Sequence, residues 1–212
     1  MLKVHLFDHP LIQKDLTILR NRDTNSNEFR IVAKRITMLM GPTILRDTQI
    51  IPEKVETPLA PYLGCKVDSP EPYFVSILRA GSIIVDGLLE LCPEGSVGHI
   101  GLYRDHETLE PCEYLNSLAN NLEKRKIILC DPMLATGGSA IYALNLLKTA
   151  GATQISFICL LASRYGANKL NKAHPDVEVF AASLDEQLNE KGYIIPGLGD
   201  AGDRIFNSGE IN

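Results

Sequence analysis

The chain has 212 residues, of which 45% are hydrophobic and 22% are charged, as in an ordinary globular protein. Its formal net charge of -5 disfavours a nucleic-acid-binding surface, because phosphate backbones select basic patches. The longest apolar run, ISFICLLA, is too short to span a bilayer, and the first residues, MLKVHLFDHP, do not resemble a signal peptide. No linker or internal repeat interrupts the chain, so we expect one domain, residues 1–212.

The cysteines indicate a reducing compartment. The chain has five, an odd number, and they form no C-x-x-C pair. Cys130 and Cys159 lie within apolar, strand-like runs, which suits reduced thiols in a core better than a disulfide framework. We therefore expect a cytoplasmic protein that has no membrane association.

The N-terminal part, residues 1–72, predicts two helices and an irregular arm. The first helix is predicted over 9–22, with Pro10 near its start. The second is predicted to begin at Asn25, where Glu28 completes a capping-box pattern. It has an apolar stripe with helical spacing at Phe29, Val32, Ile36 and Met40. The proline-rich residues 41–72 predict irregular structure, with a short helix or strand.

From Tyr73 onward, short apolar strands alternate with helices. Strands are predicted over 73–78, 97–102, 126–130, 154–163 and 177–183, and helices over 81–92, 137–151 and 165–174. A polar stretch, 103–117, interrupts the alternation. This pattern is typical of an α/β fold with a mostly parallel twisted sheet covered by helices on both faces. Ligands of such sheets bind at the carboxyl ends of the strands, so we expect a site just after Leu78, Leu102, Cys130 and Ser183.

The stretch DPMLATGGSA, residues 131–140, leads from a predicted strand into a predicted helix. A helix N-terminus exposes unpaired N–H groups, and glycines let the backbone approach an anion, so the turn can hold a phosphate. An isolated TGGS is more often a capped turn without a ligand. Asp131 favours the ligand, because a carboxylate beside a phosphate loop can accept hydrogen bonds from the hydroxyl groups of a sugar phosphate.

Arginines follow two neighbouring strands of the predicted sheet. Arg79 comes directly after the first of these strands and Arg104 just after the second. Each alone would be explained by a surface ion pair. Together with the phosphate loop, they suggest a ligand with phosphate at both ends and a ribose between them.

The C-terminal stretch GYIIPGLGDAGDRIFN interleaves glycines with apolar residues. A flexible tail is the simplest interpretation of so many glycines. The apolar side chains of Tyr193, Ile194, Ile195 and Leu198 instead favour a packed loop, whose backbone groups could bind a flat polar ring.

DPMLATGGS resembles the phosphoribosyl diphosphate (PRPP) motif of the phosphoribosyltransferases. ILRAG, the YRDHETLEP stretch and GYIIPGLGDAGDR narrow the resemblance to the uracil phosphoribosyltransferase family, from about residue 73 to the end. Two departures are visible: Ser76 stands where the family usually has proline, and PTILRDT, residues 42–48, is a remnant of a family segment near the subunit contacts. The second departure bears on oligomer geometry and regulation more than on chemistry.

The resemblance implies the conversion of uracil and PRPP to UMP and pyrophosphate, with Mg²⁺ as cofactor bound with PRPP through water. It implies a PRPP-binding core over 73–184 and a uracil-binding segment over 185–212. The implied PRPP-binding residues are Arg79, Arg104, Asp131, Pro132, Met133, Leu134, Ala135, Thr136, Gly137, Gly138, Ser139 and Asp200. The implied uracil-binding residues are Ile194, Gly199, Asp200 and Ala201. Asp200 and Arg104 are the implied catalytic residues.

The family resemblance further implies a homodimer or homotetramer and a GTP-type effector. Two other functions stay open at this point: transfer to another base, and a non-catalytic regulator of this fold that binds a nucleotide and RNA. The acidic charge and the complete DPMLATGGS motif weigh against the regulator. The complete C-terminal motif weighs against another base.

Overall fold

The computed structural model describes residues 3–104 and 111–208, except the side chains of Arg104 and Pro111. Within these ranges, no helix is both long and apolar enough to cross a membrane. The centre of the fold is a mostly parallel sheet, with helices on both faces. The α/β fold class predicted from the sequence is therefore confirmed.

The central sheet contains eight strands, and seven of them follow the order β1-β10-β9-β7-β4-β5-β6. Their bounds are β1 Val4–Leu6, β4 Tyr73–Leu78, β5 Ser96–Arg104, β6 Pro111–Asn116, β7 Lys126–Cys130, β9 Gln154–Ser163 and β10 Glu178–Asp185. The eighth, β8 (Met133–Leu134), pairs with the end of β9. All pairs are parallel except β5 with β6, which forms an antiparallel edge.

Two small antiparallel pairs lie outside the central sheet. One is the hairpin of β2 (Ile50–Glu56) and β3 (Pro61–Val67). The other joins β11 (Gln187–Leu188) to β12 (Ile194–Ile195) in the C-terminal segment.

Helices cover the sheet on both sides and divide the core in two. The helices are α1 Pro10–Arg20, α2 Ser26–Ile44, α3 Ser82–Leu89, α4 Gly138–Thr149, α5 Arg164–Ala173 and α6 Ala201–Phe206. One apolar cluster lies beneath α1, α2, α3 and α6, and the other beneath α4 and α5. Alternate residues of β4 enter opposite clusters: Phe74 the first, Tyr73 and Val75 the second.

The predicted start of the second helix is confirmed. The Asn25 side chain accepts a hydrogen bond from the Glu28 amide at 3.0 Å, which satisfies one free donor of the first turn. The buried stripe also follows the prediction, and Phe29, Ile36 and Met40 are fully buried. The helix continues past the predicted boundary at 41, with Pro42 inside its last turn.

Several elements differ from the sequence-based expectations. The proline-rich arm contains a regular hairpin, since its backbone pairs over seven residues on each strand. The polar stretch contains β6, and β5 extends two residues further than predicted, so Arg104 is the last residue of its strand rather than just after it. Neither β1 nor α6 was predicted. Both are short, and β1 is held by pairing with β10 from the far end of the chain.

Ser76, where the resemblance leads one to expect proline, lies in the middle of the central strand β4. Its side chain is fully buried, and its hydroxyl oxygen has no hydrogen-bond partner among the described residues. A buried polar group without a partner lowers stability.

We therefore expect Ser76→Ala to raise the free energy of unfolding by about 1 kcal/mol, because the unpaired hydroxyl is lost and little volume changes. The matched control is Ser163→Ala. The Ser163 hydroxyl donates to the Ala135 carbonyl at 2.5 Å and accepts from the Gly166 amide at 2.8 Å, so its removal should cost about 1–2 kcal/mol. Urea unfolding measures both values, and an equal loss of stability in the two variants would contradict this account.

Candidate functional site

A cavity of about 420 Å³ opens at the carboxyl ends of the central strands. Three segments line it: Ala80 after β4, residues 131–140 after β7, and parts of the C-terminal segment. The C-terminal lining consists of Lys191, Gly192, Tyr193, Ile194, Gly199, Asp200, Ala201 and Gly202. The structure thus brings the predicted phosphate loop and the predicted base segment to one cavity, at the edge of the sheet where we expected a ligand.

The phosphate loop leads directly into the N-terminus of α4. Gly137 is the N-cap, with φ of 79°, a left-handed conformation that side-chain-bearing residues rarely adopt. The first turn of α4 contains no acidic residue and no side-chain cap, so its amides remain available to an anion at the cavity.

The loop is held in place from behind by the start of α5. Ser163 binds the Ala135 carbonyl through its hydroxyl, which also caps α5 at Gly166. Gly166 approaches the loop so closely that an added side chain would collide with the Ala135 carbonyl oxygen. These contacts fix the loop through the Ala135 carbonyl and leave the amides at the start of α4 unused.

Asp131 follows β7 at the cavity wall. Burial raises the pKa of its carboxyl group to about 7, the Met133 amide at 3.5 Å opposes this shift, and the negative charge of Asp200 adds to it. Two carboxylates therefore share one cavity, and the field of Asp200 reaches Asp131. Such a pair accepts hydrogen bonds from hydroxyl groups and attracts cations.

The C-terminal segment forms an ordered wall, not a flexible tail. Asn189 ties its first turn, because its side chain accepts from the Lys191 and Tyr193 amides at 3.0 and 2.9 Å. Ile194, Leu198 and Ala201 are buried. The peptide bond between Ile195 and Pro196 is cis.

Asp200 is the N-cap of α6 and borders the cavity. Its side chain accepts from the Asp203 amide at 2.9 Å, as an N-cap residue does. Its carboxylate therefore combines a structural contact with a position on the cavity wall.

Of the two predicted arginines, the structure describes the side chain of Arg79 but not that of Arg104. The peptide bond between Leu78 and Arg79 is cis. The Arg79 guanidinium lies 5.3 Å from the centre of the Phe206 ring and donates weakly to Ser208 at 3.5 Å, whereas the next residue, Ala80, lines the cavity. Arg104 ends β5, and its side chain lies outside what the structure describes.

Several lining residues were not predicted as site residues. Gly192, Tyr193 and Gly202 belong to the glycine-rich stretch GYIIPGLGDAGDRIFN, so the motif itself contains the signal for them. Ala80 and Ala140 lie in the quoted stretches ILRAG and DPMLATGGSA but have no chemical group that would mark them. Lys191 lies just before the glycine-rich stretch, and only the closeness of the segments in space identifies it.

The raised pKa of Asp131 predicts that Asp131→Asn increases the melting temperature at pH 8. The folded-state pKa of about 7 lies above the ordinary value of 3.8, so ionisation costs folding stability progressively from about pH 4 to about pH 7. The gain should therefore shrink when melting is measured by circular dichroism toward pH 5.

Asp176→Asn is the control for this pH dependence. The hydrogen bond from Lys148 lowers the pKa of Asp176, so this variant should lose stability at pH 8. Its loss should fade only as the pH falls through the lowered pKa. A gain for Asp131→Asn that is equal at pH 5 and pH 8 would contradict the assigned pKa.

Comparison with known proteins points to one family. The family model described as uracil phosphoribosyltransferase matches residues 6–208. A curated uracil phosphoribosyltransferase of Halalkalibacterium halodurans is 50% identical over 208 residues, covering 98% of this chain and 100% of that protein. One of Streptococcus pneumoniae is 51% identical over 206 residues, covering 97% and 99%.

Solved structures share the fold to different extents. The AQ2163 protein from Aquifex aeolicus superposes with a TM-score of 0.91 at 32% identity, covering 98% of this chain and 99% of that one. A hypoxanthine phosphoribosyltransferase from Staphylococcus aureus reaches 0.51 at 14% identity, covering 74% of each chain, and shows the fold alone. Because the family model matches nearly the whole chain and curated relatives share about half of its residues, the chain belongs to the uracil phosphoribosyltransferase family.

Proposed function

We propose that the protein transfers a phosphoribosyl group from PRPP to uracil, giving UMP and pyrophosphate. The bond from the anomeric carbon of ribose to the pyrophosphate oxygen breaks, a bond from that carbon to a ring nitrogen of uracil forms, and the proton on this nitrogen is lost. The observation that carries the proposal is the single cavity that joins the phosphate loop and Asp131 to the C-terminal segment. Family membership with relatives of this name supports the same reaction.

At the sugar-phosphate end, we assign the 5-phosphate to the loop 131–139. The amides at the start of α4 donate to the phosphate oxygens, and the positive end of the helix dipole favours the anion. Asp131 accepts hydrogen bonds from the ribose hydroxyls. Because these interactions do not change as the reaction proceeds, their main contribution is to hold the anomeric carbon in place.

At the base end, we assign uracil to Ile194 and 199–201. Backbone N–H and C=O groups of this segment can match the alternating carbonyl and N–H groups of the ring. The buried side chains of Ile194 and Ala201 fix that backbone. A fixed donor and acceptor pattern discriminates between bases, because a mismatched base leaves buried polar groups unpaired.

We assign the departing pyrophosphate to Arg79 and Arg104, as the resemblance implies. Negative charge builds on pyrophosphate as its bond to ribose breaks, and guanidinium groups stabilise that charge. The present contact of Arg79 with Phe206 is a single cation–π interaction at 5.3 Å, which is weak enough for the side chain to turn to a polyanion.

Mg²⁺ fits the chemistry of the cavity, since Asp131 and Asp200 are oxygen donors and interact through their charges. We propose that Asp200 holds the ion through water when it arrives with PRPP. The ion would supply positive charge that neutralises the pyrophosphate oxygens. Asp200 also offsets the positive charge that develops on the sugar.

We further propose that residues 1–212 form one unit that works as a homodimer or homotetramer. The hairpin β2–β3 supports a contact between copies, because it leaves apolar side chains exposed, with Leu59 at 97% and Tyr62 and Leu63 near 60%. A monomer in sedimentation equilibrium would contradict this.

The five unpaired cysteines, all among the described residues, suit the reducing cytoplasm. A GTP-type effector remains a proposal from the family resemblance alone, which a rate comparison with and without GTP tests.

One assay tests the proposed reaction. Pyrophosphate release from PRPP is measured with uracil, cytosine, hypoxanthine and xanthine in parallel. Release with uracil alone, with UMP as the product, supports the proposal. Release with a different base would indicate another transferase, and no release together with binding of labelled RNA would indicate a regulator.

The phosphate loop predicts that Gly137→Ala lowers PRPP affinity at least about tenfold, because alanine at positive φ is disfavoured by roughly 1–2 kcal/mol and the loop relaxes away from its phosphate-binding shape. Gly151→Ala is a matched control. Gly151 also has a positive φ, 91°, at the other end of α4, and an added Cβ would meet only Glu123 at 3.9 Å. Calorimetry should therefore show normal PRPP affinity for the control, and equal loss in both variants would remove the loop from the site.

Asp200→Asn should lower kcat about 100-fold or more while the melting temperature changes little. Asparagine caps a helix as well as aspartate does, so the variant removes only the charge. Asp203→Asn is the control, because Asp203 lies in the first turn of the helix that Asp200 caps but does not line this cavity. Near-normal turnover of Asp200→Asn at saturating Mg²⁺ and PRPP would show that the carboxylate is only a cap.

A further inference from the structure

The C-terminal segment is held from behind by a buried ion pair. Arg20, at the end of α1, donates two hydrogen bonds to the Asp185 carboxylate, both at 2.7 Å. The same guanidinium donates to the Gly197 carbonyl at 2.9 Å, and Asp185 accepts from the Gly197 amide at 3.0 Å. Both backbone groups of Gly197 are therefore bound by this one pair.

The pair is well enclosed. The Asp185 side chain is 6% exposed and the Arg20 side chain 24%. Burial opposes ionisation of Asp185, yet the hydrogen bonds from Arg20 and from the Gly197 amide outweigh it and keep the pKa below its ordinary value. Arg20 also donates to the Ser183 hydroxyl at 3.1 Å, so both terminal nitrogens of its guanidinium have fixed partners.

A second arginine binds the next residue of the segment. Arg204, in α6, donates to the Leu198 carbonyl at 2.9 Å and to the Asn21 carbonyl at 2.6 Å, and it also contacts the Leu19 carbonyl. Its guanidinium lies 4.5 Å from the centre of the Phe29 ring. Arg204 thereby joins the base segment to the corner between α1 and α2.

The held turn has little freedom of its own. Gly197 has φ of 59°, and an added Cβ would collide with the Ile194 carbonyl. The turn at Gly197 lies between Ile194 and Gly199, and both of these residues line the cavity. The position of the turn therefore sets the spacing of the backbone groups that face a base.

None of the residues of α1 or α2 lines the cavity of the site. A second cavity, of about 700 Å³, separates the α1–α2 corner from the back of the C-terminal segment. The two regions also share one apolar cluster, and Arg30 donates to the Ile205 carbonyl at 2.7 Å. Arg20 and Arg204 differ from these contacts in binding the carbonyls of the turn itself, Gly197 and Leu198.

We propose that Arg20, Asp185 and Arg204 are positioning residues for base recognition, through which the N-terminal helices fix the base segment. This inference rests on the proposed function, because it assumes that residues 194–201 bind the base. It predicts a division of the site into two independently held halves. The phosphate loop is held by Ser163 and α5, and the base segment by the two arginines.

The experiment compares two ligands that differ by the base. UMP and ribose 5-phosphate are titrated by calorimetry into the full chain and into Arg20→Lys and Asp185→Asn. Lysine keeps the charge but cannot bind Asp185 and Gly197 together, and asparagine keeps the shape but removes the charge. Each change should weaken UMP binding about 10- to 100-fold, as expected for a charge-assisted hydrogen bond, and ribose 5-phosphate binding less than about twofold.

A neighbouring ion pair provides the matched control. Arg164 and Glu186 also form a two-point pair, with both distances 2.5 Å, but both side chains are exposed and neither is hydrogen-bonded to residues 194–201. Arg164→Lys and Glu186→Gln should leave both affinities unchanged. Ser183→Ala, which removes one contact of Arg20, is a milder variant for the case that the others unfold, and it should weaken UMP binding alone.

The outcomes separate the two proposals. Selective loss of UMP affinity in the variants supports the positioning role. Unchanged UMP affinity, or equal loss for both ligands, overturns it, because a purely structural role would not distinguish them. If the wild-type chain does not bind UMP, the proposed function fails and the inference fails with it.

Discussion

Parallel pairing of β4 with both β5 and β7 is the constraint on which the site depends. Because paired parallel strands end at the same edge, Ala80 and Asp131 meet at one cavity although the chain between them makes a long excursion. The chain after β10 then returns to the same edge as the base segment. The sheet thus supplies one wall and the entry to α4, and the C-terminal segment supplies the other wall.

The charges around the cavity are arranged unusually for a site that receives a polyanion. The segments that line it contribute two carboxylates, Asp131 and Asp200, and one cation, Lys191. We therefore propose that attraction for phosphate comes from the amides of α4, from Arg79 and Arg104, and from a cation that accompanies the ligand. Burial raises the pKa of Asp131 and the charge of Asp200 adds to the shift, so a bound cation would oppose both effects.

The sequence predicted the parts of the fold that have strong local patterns. The buried strands and the helices from Tyr73 onward were predictable because each contains its own apolar periodicity. The strand β1 has only three residues and is stabilised by β10, and β6 is a mostly exposed edge strand, so neither has a local signal. The hairpin β2–β3 was hidden by prolines that its exposed strands tolerate.

The residues of the site likewise fall into those that the sequence predicts and those that it does not. The motifs of the site were visible because clustered glycines and an acidic residue directly after a strand have a chemical explanation, namely ligand binding. Arg20 and Asp185 could not be found, since 165 positions separate them and arginine at a helix end has ordinary surface explanations. Only packing of α1 against the sheet brings them together. Interactions between distant residues, which hold the site rather than touch a ligand, are thus what the sequence conceals.

A crystal structure of the chain with UMP tests the central claim most directly, because UMP carries both the phosphate and the base. The account predicts the 5-phosphate against the amides of 137–139, the ribose hydroxyls on Asp131, and the uracil ring against the backbone of Ile194 and 199–201. UMP bound in the second cavity, between the α1–α2 corner and α6, would contradict it. So would a base that contacts only side chains outside the C-terminal segment.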